Sequence, residues 1–425
     1  MSPRTSADAL HPWRARRVLS TVPQITRLAW QDADLGALDL PKGRLAIRSG
    51  FGSGLSRRPA DPLGRVWAVC DRGPNIKLKP AVEQYGLEEL APYLDSEGAK
   101  LMPRLDLGPA LAELQVEEDR VVLIRSLRLR TSAGKPLSGL PMPGPHAVQE
   151  PAFGLGGEEL GTDATGADTE GVAAVEGGFW VVDEYGPSLL RVDEGGAVIE
   201  RRVPEGCEPL EDCGYRLSPR LPAIAAKRQL NRGLEAMAAD GERLWIAFQS
   251  PLAHPDLAAH KAARHLRIWR LDASSGAVEA QFLYPLDPPE TFRRDVAKGE
   301  VEWGDLKVSE MAHLGGDAMI VLERGSETTK LYRVDLAPGC ASDARHLDAA
   351  TRPTIEEMSG AGAVDQPVLE KTLLFSTDDA PEVAPDLEGM VLLAPDELLL
   401  SSDNDFGVDG AETTFWRLRF DGPIA

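Results

Sequence analysis

DTEGVAAVEGGFWVVDEYGPSLLRVDEGGAVIERRV runs from Asp168 to Val203. Four short apolar runs sit in it: Val172–Val175, Phe179–Val182, Leu189–Val192 and Val198–Val203. Glycine-bearing turns (EGG, EYGPS, DEGG) separate them, which predicts an up-and-down meander of four strands. Its opening recurs. GSGL (Gly52–Leu55), GLEAM (Gly233–Met237), VSEMA (Val308–Ala312) and LEGMV (Leu387–Val391) each lead into an apolar run with a polar stop. Those runs are VWAVCDRGP (Val66–Pro74), LWIAFQSPL (Leu244–Leu252), MIVLERG (Met319–Gly325) and LLLSSDNDFG (Leu398–Gly407), beside FWVVDEYGP (Phe179–Pro187).

The spacing holds in four copies. Glu170 precedes Glu184 by 14 residues, Glu235 precedes Gln249 by 14, Glu310 precedes Glu323 by 13, and Glu388 precedes Asp403 by 15. In the first copy Ser53 stands at the Glu position and Asp71 follows after 18. The four copies that begin at Glu170, Glu235, Glu310 and Glu388 lie 65 to 78 residues apart. That period suits a four-stranded blade with loop insertions. The expected fold is therefore all-β: a β-propeller of four-stranded blades, five by motif count. Six is the alternative if residues 75–165 hide another blade. Helical insertions are expected in loops, at VEQYGLEELAPYL (Val82–Leu94) and Asp256–His265. Residues 1–43 read as a lead-in, and 44–425 as a single propeller domain closed by an N-terminal strand such as Arg44–Arg48. Such a strand would cover a free sheet edge.

Composition narrows the partners. The chain has 425 residues and a formal charge of −21. Nucleic acid and anionic membranes are disfavoured, because phosphate backbones are bound by clustered Lys and Arg. No apolar run approaches membrane-spanning length, and no secretory leader is evident after Arg14, Arg16 and Arg17. The absence of a leader points to the cytoplasm. Of four cysteines, Cys207 and Cys213 could close a small disulfide loop or stay free, and no CxxC pair suggests zinc. Of the seven histidines, His254, His260 and His265 do not form HExxH, and no GxSxG elbow occurs. A monomer acting on a small anionic ester is the expectation.

Residues opening the inner strand of each blade converge on the propeller axis. Here those are Ser53, Glu170, Glu235, Glu310 and Glu388. A second ring would hold Asp71, Glu184, Gln249, Glu323 and Asp403, with Arg72, Asp183, Arg324, Asn404 and Asp405 beside it. Bare carboxylates gathered there would repel. Either some are protonated or a hard cation sits among them, and Ca2+, with its six to eight oxygen ligands, suits the ring; Mg2+ or Mn2+ would also serve. The candidate metal ligands are thus Glu170, Glu235, Glu310, Glu388 and Glu323. Turn capping is the competing role for repeated acids.

GSGLS…VWAVCDRGPN, LSGLP (Leu137–Pro141), DTEGVAAVEGGFWVVDEYGPSLLRVD, NRGLEAMA…LWIAFQSPL, VSEMAHL…VLERGSETTKLYRVDL and LEGMVLLAPDELLLSSDNDFG…TTFWRL together resemble the phytase-like family. That family is described by esterase-like activity of phytase, and the resemblance spans roughly residues 50–420. It implies a β-propeller with phosphoesterase or phosphodiesterase activity served by the repeated Glu and Asp. Members are commonly exported, so a periplasmic or secreted location competes with a cytoplasmic one. The leading expectation is a metal-dependent phosphoric-ester hydrolase. A cation would polarise the phosphoryl oxygen. Asp183, Glu184, Asp403 or Asp71 would act as general base, and Arg72, Arg324, Asn404 and Gln249 would bind substrate. The alternatives are a non-catalytic binding propeller with a structural axial Ca2+, and a Ca2+-dependent lactonase-type esterase.

Overall fold

The computed structural model describes residues 16–17, 22–144, 149–208 and 212–424. Most of the lead-in before residue 22 and the middle of the CEPLEDC loop lie outside the described residues. The recurring motifs open five inner strands: β1 (Gly54–Ser56), β2 (Thr169–Val175), β3 (Leu234–Ala239), β4 (Lys307–Gly315) and β5 (Leu387–Ala394). Each pairs antiparallel with the apolar run that follows it: Arg65–Cys70, Gly178–Asp183, Arg243–Phe248, Ala318–Arg324 and Glu397–Ser402. These second strands are apolar without alternation because both of their faces are covered; Gly178–Asp183 is buried at every residue. Two further strands extend each sheet outward, with a fifth in the second and fourth sheets. The chain is all-β with few helices.

β1 packs beside β2, β2 beside β3, β3 beside β4, β4 beside β5, and β5 beside β1. Apolar layers fill the spaces between successive sheets. Trp67, Val69 and Leu111 meet Val172, Phe179 and Val181, with Trp67 and Phe179 edge to face at 4.6 Å. Trp180 and Val182 meet Met237, Ile246 and Trp269 in the next layer. Trp245 and Phe282 meet Met311, Val321 and Tyr332 in the third. The recurrent Trp of the second strand is thus a layer filler.

At Gly54 and Gly171 the inner strands approach closely enough to exclude a side chain. A Cβ on Gly171 would lie 2.4 Å from the Glu235 carbonyl oxygen, and one on Gly54 would lie 2.5 Å from that of Glu170. This explains the Gly that follows Ser53 and Glu170.

The strand that completes the fifth sheet is Gln24–Leu28, paired antiparallel with Phe415–Arg419. It lies inside the segment expected to be lead-in. Gly43–Arg48 instead pairs with Asp34–Leu40 in a separate hairpin, because its apolar residues Leu45 and Ile47 pack onto the layer between the fifth and first sheets. Helices occur in both expected insertions, at Leu78–Glu83 and Leu257–Ala262. Cys207 and Cys213 are buried and unbridged. No helix among the described residues is long and apolar enough to cross a membrane.

Candidate functional site

The ladders fix which residue of each motif faces the hub. β3 pairs Leu234 with Phe248 and Ala236 with Ala247, leaving Glu235 as one extra residue. β5 does the same at Glu388, between Leu387 and Gly389, and β2 within Glu170–Gly171. Such a bulge re-aims a side chain out of the regular pleat. In β4 the extra residue is Ser309, since Val308 pairs with Glu323 and Glu310 with Leu322. By register the inner ring is therefore Ser53, Glu170, Glu235, Ser309 and Glu388. The second ring is Asp71, Glu184, Gln249, Arg324 and Asp403. The fourth copy is offset by one residue from the sequence alignment, which corrects Glu310 and Glu323.

Glu323 is fully buried between the third and fourth sheets. It accepts from the Asp287 amide at 2.6 Å, Tyr284 Oη at 2.7 Å and Lys371 Nζ at 2.5 Å. It is an internal ion-pair partner, not a ligand at the hub. Asp183 is equally buried. Its Oδ2 pairs with Arg201 at 2.5 Å and accepts from Ser188 Oγ at 2.9 Å, and its Oδ1 accepts from the Asp168 amide at 2.8 Å. Those bonds commit both oxygens, so Asp183 is a poor general base. Asn404 donates to Asp32 and to the Ser49 carbonyl, and accepts from the Phe406 amide. Its amide is consumed in holding the hairpin.

The other predicted residues converge. Ligand oxygens of Asp168, Glu170 and Glu184 lie within 4.8 Å of one another, as do those of Asp71, Asp403 and Asp405. Burial pushes the Glu170 carboxyl well above its ordinary range, reinforced by Asp168, Glu235, Glu184 and Glu388. Burial, then Asp168, raises Glu184 to about 8, and burial against the opposing Arg324 raises Glu388 to about 7. Burial also raises Asp71 and Asp403, each of which repels the other groups of its cluster. Among the described residues of the two rings, four buried oxygens find no hydrogen-bond partner: Ser53 Oγ, Glu184 Oε1, Glu235 Oε2 and Gln249 Oε1. Unpaired buried oxygens beside repelling acids are the donor set a hard cation takes.

Cations frame the acids. Arg324 donates from Nε to Ser309 Oγ at 2.8 Å and pairs with Asp386 and Glu388. Arg72 pairs with Glu150 and with Asp168, bonds Asn231 at 2.9 Å, and stacks on Tyr185. Arg72 Nε is buried without a partner. The Lys307 ammonium is pushed down to about 8, first by Arg324 and then by burial. Lys100, lowered chiefly by burial, reaches Asn75 at 2.8 Å.

Asp168, Asp386, Lys100, Lys307, Glu150, Asn231 and Tyr185 were not foreseen. The first two had a signal: DTEG (Asp168–Gly171) and DLEG (Asp386–Gly389) place an acid two residues before the repeated Glu. Lys307 opens β4 directly before VSEMA and Tyr185 follows Glu184 in FWVVDEYGP; Lys100, Glu150 and Asn231 come from segments between the motifs, with no repeat to mark them.

The family described as "Phytase-like: Esterase-like activity of phytase" matches residues 48–406. A protein of Arthroderma benhamiae, named an uncharacterized secreted protein, is 24% identical over 329 residues, covering 68% of this chain and 59% of its own length. The chain thus spans less than two thirds of that relative. Among solved structures, hydrazine synthase of Kuenenia stuttgartiensis aligns with 93% of this chain and 100% of its own at 8% identity and a TM-score of 0.33. A Thermus thermophilus oxidoreductase described as a glucose dehydrogenase aligns with 93% and 99% at 14% identity and a TM-score of 0.30. At such scores neither likeness bears on fold or function.

Proposed function

The chain belongs to the phytase-like family described by esterase-like activity of phytase, and from that premise we propose that it is a divalent-cation-dependent hydrolase of phosphoric esters. One observation carries this reading: Asp168, Glu170 and Glu184 converge within 4.8 Å, and Glu184 Oε1 is buried without a partner. Glu170, Glu184, Glu235 and Asp168 would hold the cation, with Ca2+ preferred over Mg2+ or Mn2+ for an all-oxygen set of flexible geometry. When bound, such an ion supplies Lewis-acid charge for a phosphoryl oxygen.

The chain's own residues have separable tasks. The Arg72 guanidinium, with its spare Nε, orients an anionic oxygen. Lys307, held near neutrality, carries a proton toward a leaving oxygen. Asp403, only half-buried, and Asp71 beside it share the task of accepting a proton from the attacking water. The five sheets are read as five blades of a propeller, supported by inner-strand contacts that run from β1 through β5 and back to β1. The relative's name supports a secreted location; the cytoplasmic expectation has no support.

A second reading has its own observation. Arg324 and Arg72 are already tied into the protein, Arg324 by Asp386, Glu388 and Ser309 and Arg72 by Glu150, Asp168 and Asn231, as in a binding propeller whose axial cation is structural. The test is turnover of a chromogenic phosphodiester, phytate and a lactone panel, with Ca2+ and then with EDTA. Calcium-dependent phosphate-ester cleavage supports hydrolysis. Calcium binding without turnover of any phosphate ester rejects it in favour of the structural ion, and turnover of lactones alone favours the esterase alternative.

A further inference from the structure

Among the described residues the inner strand is the last of its sheet in each of the five sheets, so part of its backbone N–H groups have no ladder partner. Glu310 is fully buried there. Its Oε2 accepts from the Leu55 amide and its Oε1 from the Met311 amide, both at 3.0 Å. The Met237 and Met390 amides are close enough to favour the ionised form of this carboxylate. β1 and β4 thus bond one side chain, and amides of β3 and β5 stand beside it.

These four amides have a common address. Leu55 lies two residues past Ser53, Met237 two past Glu235, Met311 two past Ser309, and Met390 two past Glu388. Each is the same step beyond the inner-ring residue of its strand. A carboxylate has about four acceptor positions in two oxygens, so one Glu can hold four strands at equal height. Burial pushes the Glu310 carboxyl up, while the four amides favour its ionised form.

We propose that Glu310 is a positioning residue: it ties the inner strands at one level and so sets the spacing of the ring oxygens that receive the cation. This rests on the cation site proposed above, and it removes Glu310 from the ligands. The offset in β4 serves this purpose. Ser309 takes the ring place, and the Glu moves one residue on, where it faces the amides of its neighbours instead of their acids.

Calorimetric titration with CaCl2 separates the possibilities. Glu310→Gln keeps the size but turns one acceptor into a donor facing N–H groups, and it should weaken Ca2+ binding at least tenfold. Glu323→Gln, at an equally buried acid of the ion-pair network away from the hub, should lower the unfolding temperature yet leave Ca2+ affinity within about twofold. Wild-type affinity in a folded Glu310→Gln overturns the inference alone, as does a comparable affinity loss in Glu323→Gln. Absence of Ca2+ binding by the wild-type protein overturns the cation reading and this inference with it. Should Glu310→Gln not fold, amide hydrogen exchange of the wild-type chain decides. The Leu55, Met237, Met311 and Met390 amides must then be among the slowest to exchange, and rapid exchange at these four refutes the proposal.

Discussion

Raising the pH from 7 to 8 should destabilise the cation-free protein and enlarge its response to calcium. The cause is Glu184, whose carboxyl is raised from 4.5 to about 8 by burial and then by Asp168. An acid of this kind keeps its proton in the folded state while the unfolded chain has lost it. Its contribution is therefore fully present below pH 4.5 and is lost as the pH climbs through 8. Between pH 7 and 8 the share lost is about 1 kcal/mol for Glu184 alone. Each carboxyl held far higher, such as Glu170 and Glu235, adds up to about 1.4 kcal/mol. Opposing groups contribute less than these acids in this window. His254, His260 and His265 are held below 6.5 and are essentially neutral, folded or unfolded, above pH 7. Lys307, lowered to about 8, works in the other direction but mainly above pH 8. Urea unfolding in EDTA at the two pH values measures the loss. Calcium at a hundredfold over its Kd at pH 8 should restore about 2.7 kcal/mol, and less at pH 7, where protons compete for the same oxygens. A cation-free protein equally or more stable at pH 8 refutes the clustering of acids on which the site depends.

Asp183→Asn should cost about 3–5 kcal/mol in urea unfolding, because it strands the buried Arg201, while Ca2+ affinity stays unchanged in calorimetry. Arg324→Gln should lower cation-free stability by a similar margin, since Glu388 and Asp386 lose their partner. It should nevertheless tighten Ca2+ binding, because a positive charge leaves the ring. Deleting residues 1–28 removes the strand Gln24–Leu28 and bares the edge of Phe415–Arg419; a lower unfolding temperature and self-association in light scattering are the expected outcomes.

Much of the architecture was legible because it repeats. VWAVC, FWVVD, LWIAF, MIVLE and LLLSS are apolar without alternation, and a strand covered on both faces needs that pattern. The acids Glu170, Glu235, Glu388, Glu184, Asp71 and Asp403 were legible for the same reason, since a motif at fixed spacing puts equivalent residues at equivalent places. Glu323 shared that apparent spacing and Asp183 was read as a neighbour of the ring, but neither has that environment. Each stands one residue from a ring position, and in a strand one step reverses the face a side chain takes. Residues from segments between the motifs, such as Lys100, Glu150 and Asn231, left no periodic trace.

By itself the sequence determined an all-β chain of recurring strand meanders and a set of acids at their starts, because apolar periodicity and turn glycines are local properties. Only the tertiary structure decided which residue of VSEMA reaches the ring and which strand completes the last sheet. The first depends on a single bulge, whose place is set by pairing between Val308 and Glu323. The second depends on an edge at Phe415–Arg419 that exists only once the two ends of the chain have met. Both are long-range facts of hydrogen-bond register, and no window of neighbouring residues encodes them.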